Sequence, residues 1–371
     1  MVILIDKQRD KITGVQLAFI VISSILGVAM LAFPRFVVKG AGIGAPFASI
    51  IGVGITFIGL LAIVYLGKRF PKHTVITYNE IILGKFIGRI FSIMIILFFT
   101  INMGLETRQF AEVVTGALLP TTPIQIAIFM MIFLCATTGF QNVSTFAFIH
   151  FFYMPLIIFP FALVLLPAFG DIEVYHITPI LGNDPTWREF LKGSLVVTQS
   201  MLSFFVISMV IPYMKQPEKC LKGGVLGLLI AGFIVIFIVF MTVGVFGDED
   251  ILQMIWPTLV LGKMITVPGE ILARVDAILV ISWIYGVFTT LLSYYFIIVR
   301  GIGELFRYYN YRVIAVAGFP VVFCIAIFPQ NIYHMYDYIL LVTMYGLLLT
   351  IVYPVILLGI AKLRKKGGVS V

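Results

Sequence analysis

Charge is scarce in this sequence. Only 11% of its 371 residues are Asp, Glu, Lys or Arg, against roughly 25% in water-soluble domains. So few charges cannot cover a globular surface, which excludes an ordinary soluble enzyme of this length. Cysteine is scarce too: Cys135, Cys220 and Cys324 lie far apart in or near apolar stretches. That spacing supports neither a disulfide framework nor a metal site. Four histidines and no Ser–His–Asp candidate set leave a membrane enzyme without support, and no metal or cofactor is expected. A cleavable leader is not expected either. Met1 to Lys11 is polar, and the apolar run after it is too long and lacks a small-residue cleavage site.

What the chain has in abundance is apolar sequence: 61% hydrophobic residues and a mean hydropathy of +1.12. A membrane span needs about 20 apolar residues. Such stretches fall at about 13–37, 44–66, 86–118, 123–141, 145–168, 189–213, 222–246, 269–299, 313–328 and 332–361. The expectation is an all-α integral membrane protein with ten transmembrane helices in a single domain, 1–371, both ends cytoplasmic. The shortest stretch, 313–328, contains Pro320 and is the weakest of the ten.

The basic residues test that layout independently. With the N-terminus inside, 18 Lys and Arg fall on the inner side, in clusters such as Lys7–Lys11, Lys68–Lys72 and Lys362–Lys366. Five fall outside: Arg35, Lys39, Arg188, Lys192 and Lys263. This is the asymmetry of the positive-inside rule, and moving the count by one span destroys it. The formal net charge of +8 therefore reports topology rather than nucleic-acid binding. The Lys362–Lys366 tail is expected to anchor the last helix at an anionic inner leaflet. Outer loops are acidic, with Asp171, Glu173 and Asp184 in one and Asp248, Glu249 and Asp250 in another. The apolar stretch Thr258 to Val267 is too short to span and is expected at the outer interface or folded into a vestibule.

Two spans carry small and polar residues at mid-depth. The first reads Ser23-Ser24-Ile25-Leu26-Gly27, the sixth Thr198-Gln199-Ser200-Met201-Leu202-Ser203. In lipid an unwound turn survives only where it faces a cavity or protein. Its freed N–H and C=O groups can then hold a carboxylate, an ammonium group or an ion. Either segment alone is equally explained by close helix packing through small residues. Together they lie five spans apart, and an odd-span repeat must be inverted, which is the pattern of a midplane binding site.

Charges also fall inside spans: Glu106, Arg108 and Glu112 in the third, Glu270, Arg274 and Asp276 in the eighth. Buried charges pair, so Arg108 with Asp276 and Arg274 with Glu106 are the expected partners. Such pairs serve equally as an outer gate and as a structural clamp between the two spans. Thr289 and Thr290 in span eight and Asn102 in span three could line the same cavity. Pro155, Pro160 and Pro354 mark kinks. His150 reads as a satisfied interior histidine or a proton relay.

The chain resembles the B subunit of bacterial spore germinant receptors, the endospore germination permease family. The resemblance is carried by Ile12-Thr13-Gly14-Val15-Gln16 entering a span that ends Ala32-Phe33-Pro34-Arg35. It continues through Arg108-Gln109-Phe110-Ala111-Glu112 to Leu119-Pro120-Thr121-Thr122-Pro123, and through Trp256-Pro257 followed by Glu270, Arg274, Asp276 and Trp283. It implies an amino acid–polyamine–organocation fold of LeuT/APC type. Spans one to five and six to ten would form a 5+5 inverted repeat, about 12–168 and 189–361, with helices one and six discontinuous. It implies the inner spore membrane (a bacterial cell membrane), A and C partner subunits, and a small germinant, typically an amino acid. The cavity walls would be Ser23, Ser24, Ile25, Leu26 and Gly27; Thr198, Gln199, Ser200 and Ser203; and Asn102, Thr289 and Thr290. Span six has serines where span one has Gly27. The leading expectation is a ligand-sensing receptor subunit. The alternatives are a secondary amino-acid transporter coupled to H+ or another cation, and an ion-conducting subunit without a ligand site.

Overall fold

The computed structural model describes residues 11–181, 186–264 and 275–367. Nearly all of these are helical, and no strand occurs among them beyond one isolated bridge between Ile12 and Met214. The helices in chain order are α1 Gly14–Ile25, α2 Phe33–Ala41, α3 Ala45–Arg69, α4 Val75–Leu83, α5 Lys85–Ala117, α6 Ile124–Gly139 and α7 Val143–Leu165. Then follow α8 Trp187–Ser200, α9 Cys220–Gln253, α10 Pro257–Met264, α11 Val275–Phe306, α12 Tyr311–Ile327, α13 Ile332–Leu347 and α14 Tyr353–Leu363. Among the described residues six helical runs are long and apolar enough to cross a bilayer, and a bent pair, Trp187–Ser200 with Leu202–Tyr213, makes a seventh. Three shorter apolar helices, α1, α6 and α12, lie between them.

Local chemistry sets where the first and sixth spans begin. Thr13 and Gln16 form a reciprocal capping box at the start of α1, and Thr186 and Glu189 form the same box at the start of α8. Each box satisfies backbone donors that a helix start leaves without partners. These two spans then run antiparallel, side by side. At one end Ile12 N–H donates to the Tyr213 carbonyl at 2.9 Å, and Lys215 N–H donates to the Ile12 carbonyl at 2.8 Å. At the other end α2 crosses α8 through small residues. A Cβ on Gly40 would lie 2.6 Å from the Gly193 nitrogen, and one on Gly193 would lie 2.7 Å from the Ala41 Cβ.

Both spans are interrupted. α1 stops at Ile25, Leu26 has ψ of 61°, and a short tight-helical turn, Val28–Leu31, precedes α2. Helix six breaks at Met201, with φ −103° and ψ 3°, and its halves are bent by 44°. The bend therefore forms without a glycine, at a Ser200-Met201 step followed by the tight turn Leu202–Val206. Helix α9 runs past the expected end of span seven to Gln253, but Gly247 interrupts it with φ of 73°. There a Cβ would meet the His176 ring at 2.9 Å, and a side chain is disfavoured at that φ in any case. The apolar stretch after it forms α10, which folds inward, and Thr258 Oγ1 donates to the Met30 carbonyl at 2.9 Å.

The basic tail makes contacts within the protein. Arg364 donates to the Ile82 carbonyl at 2.8 Å and Lys366 to the Ile81 carbonyl at 3.1 Å, filling acceptors at the C-terminus of α4. Arg69, at the end of α3, returns the arrangement by donating to the Ala361 and Lys366 carbonyls.

The tight crossing makes a measurable contrast. Gly40→Ala forces backbone against backbone and is expected to cost about 1–3 kcal/mol, the usual range for overpacking. Gly54→Ala, where a Cβ meets nothing within 4 Å, is expected to leave the melting temperature of the detergent-solubilised protein within a degree or two. Equal melting shifts would show that the crossing is not tight.

Candidate functional site

Breaking helix one frees carbonyl oxygens, and their partners locate the joint. The Ser23 carbonyl accepts from Thr289 Oγ1 at 2.9 Å, and the Ser24 carbonyl accepts from Thr290 Oγ1 at 2.6 Å. Gly286 lets α11 come this close, since a Cβ there would lie 2.1 Å from the Leu26 oxygen. Gly27 meets the same helix from the other side: its Cβ would lie 1.9 Å from Thr290 Oγ1. The polar stripe Thr289–Thr290 is thus consumed in holding the break, and these two residues do not face the open cavity.

A second network joins α1, α7 and α11. Ser23 Oγ donates to the Phe19 carbonyl at 2.7 Å and lies 2.5 Å from His150 Nδ1. A hydroxyl has one proton, so Nδ1 is the donor in that contact. His150 Nε2 then accepts, and Ser293 Oγ lies 3.4 Å from it. Ser293 Oγ also lies 3.0 Å from the Thr289 carbonyl and 2.6 Å from Ser24 Oγ, and its single proton serves one acceptor at a time. The buried histidine therefore ties three helices together.

The open space lies on the other side of helix one. A cavity of about 60 Å³ is lined by Ala32, Phe33 and Phe36 of helix one, Glu106 and Gln109 of α5, Val196, Gln199 and Ser200 of α8, and Tyr336, Ile339, Leu340 and Thr343 of α13. At 10–15 Å³ per water-sized occupant, this admits a few small groups. It abuts the break in helix six directly. Gln199 Oε1 there is buried without a hydrogen-bond partner, as is Ser203 Oγ on the far side of the break. Glu106 faces the cavity and is held from behind: Asn102 Nδ2 donates to its Oε1 at 2.8 Å and the Tyr294 hydroxyl at 3.0 Å. Gln109 reaches across to the Val28 carbonyl at 3.5 Å.

Of the residues singled out from sequence, Gln199, Ser200 and Glu106 line this cavity, and Asn102 supports it from the second row. Thr198 packs against the middle of α3, with Oγ1 donating to the Gly52 carbonyl at 3.0 Å. Ser23, Ser24, Ile25, Leu26 and Gly27 belong to the packed joint. Arg108 pairs with Glu112 on its own helix, Nε to Oε1 at 2.8 Å, because i and i+4 share a face. Glu270 and Arg274 lie outside the described residues, as does the side chain of Asp276. The sequence reading missed the α13 wall. Its signal is present as the spacing Tyr336, Ile339, Leu340, Thr343, one stripe of a helix whose other face, with Leu341, Met344 and Tyr345, is exposed. In a span that is apolar all round, composition does not reveal which stripe points inward.

The joint is testable. Thr290→Val removes the donor to a buried carbonyl and is expected to lower stability by about 1 kcal/mol. Thr290→Ser keeps the hydroxyl and is expected to retain most of it. Thermal melting in detergent reads both, and equal losses would argue that packing, not the hydroxyl, matters.

Comparison with known proteins agrees with this architecture. A solved structure of a Na+-coupled sialic acid symporter, in a substrate-bound outward-open state, superposes with a TM-score of 0.64 at 10% identity, over 93% of this chain and 78% of its own. At that identity the likeness concerns the fold: an all-helical, LeuT-type membrane architecture with discontinuous helices one and six. In sequence, the spore germination protein YndE of Bacillus subtilis (strain 168) is 26% identical over 367 residues, covering 96% of this chain and 98% of its own. Spore germination protein B2 of the same organism is 25% identical over 370 residues, and GerLB of Bacillus cereus is 20% identical over 377. With the spore germination protein family matching residues 11–335, this multi-pass membrane chain belongs to that family.

Proposed function

We propose that this chain is the nutrient-sensing membrane subunit of a spore germinant receptor. In this reading a small germinant of the amino-acid class binds in the cavity beside the break in helix six and triggers germination. The observation that carries it is the cavity itself, walled by the second half of broken helix one and the first half of broken helix six. The two interrupted spans run antiparallel, which supports ten spans arranged as inverted repeats, about 12–168 and 189–361. The distribution of Lys and Arg supports cytoplasmic N- and C-termini. The germination relatives support residence in the inner spore membrane and assembly with A and C subunits.

Binding acts by population shift. A ligand moves a closed–open equilibrium only through its differential affinity for the two states. The bend at Met201 and the break at Leu26–Gly27 divide each span into two rods, and an occupant between the outer rods favours one relative placement of them. Partner subunits then read that placement.

A second reading is a secondary amino-acid transporter coupled to H+ or another cation, favoured by the likeness to a Na+-coupled symporter. Radiolabelled uptake separates the two readings. Proteoliposomes containing only this chain are expected to show no sustained, saturable accumulation if the chain senses, and accumulation if it carries.

The cavity is tested by filling it. Purified protein is expected to melt higher in the presence of one or a few small amino acids, and Thr343→Phe is expected to abolish that shift. Gly27→Leu, the obvious substitution from sequence, would break the joint with α11 instead. Absence of any ligand-induced shift across the common amino acids would overturn the sensing reading.

A further inference from the structure

The cavity has one sign of charge. Glu106 is its only ionisable carboxylate, and no Lys, Arg or His lines it among the described residues. The nearest arginine along the helix, Arg108, is turned to Glu112. Among the described residues Glu106 has no salt-bridge partner. Its Oε1 takes both hydrogen bonds, from Asn102 and Tyr294, and both donors are neutral. The carboxylate is thus oriented but not neutralised, in a span where an isolated charge costs a few kcal/mol.

Two amide oxygens near it lean the same way. Asn102 donates through its amide nitrogen, which fixes its Oδ1 as an acceptor, and that oxygen has no partner. Gln199 Oε1 is likewise an acceptor without a donor. Asn102 is 1% exposed and Ser203, with its own unpartnered hydroxyl, is 1% exposed. Buried acceptors without donors are costly, and here they gather around a carboxylate. The Tyr336 hydroxyl is also without a partner and can donate or accept, so what the lining lacks among the described residues is a positive charge. The rest of the wall is apolar or aromatic, with Phe33, Phe36 and Tyr336. No group of three His, Cys, Asp or Glu that could hold a metal occurs among the described residues.

Resting on the sensing reading above, we propose that the cavity recognises the ammonium group of a small organic amine, with Glu106 as its counter-ion, and that a carboxylate on the ligand is dispensable. An ammonium offers three N–H donors, which suits the Glu106 carboxyl and the Gln199 amide oxygen that line the cavity. Its short apolar body then lies against the phenylalanines. A ligand carboxylate finds no basic side chain among the described lining residues. The recognised class is primary amines carrying a compact apolar group, of which a neutral amino acid is one member and its amide another.

The experiment uses four probes of similar size on the purified full chain at neutral pH: alanine, alaninamide, n-propylamine and propionate. Isothermal titration or thermal shift reads binding, with sodium chloride alone as the fifth arm. Alaninamide is expected to bind at least as tightly as alanine, propylamine measurably, and propionate not at all. Glu106→Gln is expected to weaken the amines at least tenfold, and Glu106→Asp is expected to recover part of that loss. Gln199→Leu, away from the charge, is expected to weaken them several-fold and serves if Glu106→Gln fails to fold.

Alanine binding without alaninamide binding would overturn the amine proposal while leaving the sensing cavity in place. So would propionate binding, or amine binding indifferent to Glu106→Gln. A shift with sodium chloride alone and with none of the organic probes would mark a metal-cation site and overturn it as well. Silence of every probe, with Thr343→Phe also without effect on any amino acid, would remove the cavity reading and this proposal together.

Discussion

The interruption of helix one is possible because α11 supplies hydroxyls where the helix no longer supplies amides. In the hydrocarbon core a freed carbonyl has no water to turn to, so an unwound turn must be met by protein. Thr289 and Thr290 meet the Ser23 and Ser24 carbonyls at 2.9 and 2.6 Å. Gly27 and Gly286 remove the side chains that would hold the two helices apart. His150 adds a third helix to the joint through Ser23 and Ser293. Once the break is fixed there, the second half of helix one is directed toward α8, α5 and α13. The cavity is the space left between them.

The joint and the cavity divide the polar residues into two populations. On the α11 side nearly every hydroxyl and carbonyl has found a partner, and the chemistry is structural. On the α8 and α5 side, Gln199, Ser203 and Asn102 keep polar atoms without partners, and the Glu106 carboxyl has no basic partner among the described residues. Fully satisfied networks rigidify, and buried polar groups without partners are costly. The two faces of one broken helix therefore differ, the one closed by hydrogen bonds and the other open. That division also explains why the Met201 bend forms without glycine. Its neighbours face a cavity on one side, where backbone need not approach backbone.

At the opposite end of the molecule, a clasp of Arg69, Arg364 and Lys366 binds the ends of α3, α4 and α14 to one another. Thr74, just before α4, hydrogen-bonds Glu304 near the end of α11. The helix that holds the break thus reaches, through α4, the same clasp. A change in how α11 seats helix one has a continuous set of contacts along which to be felt there.

The sequence alone determined the all-helical membrane class, because hydropathy at a period of one bilayer thickness is a local property. It also determined the positions of both interruptions, since Ser23 to Gly27 and Thr198 to Ser203 are polar where lipid tolerates no polar residue unheld. Glu106, Gln199 and Ser200 were legible as chemistry for the same reason. Only the tertiary structure decided which face of each break is open. Thr289 and Thr290 read as cavity lining because a hydroxyl stripe looks alike whether it meets a ligand or a neighbouring carbonyl. Arg108 read as an interhelical partner, yet its own helix offered Glu112 one turn away. The stripe from Tyr336 to Thr343 is visible as a helical spacing, but in a largely apolar span that spacing does not say which side faces protein. Inward orientation depends on the packing of distant helices, and no stretch of one helix encodes it.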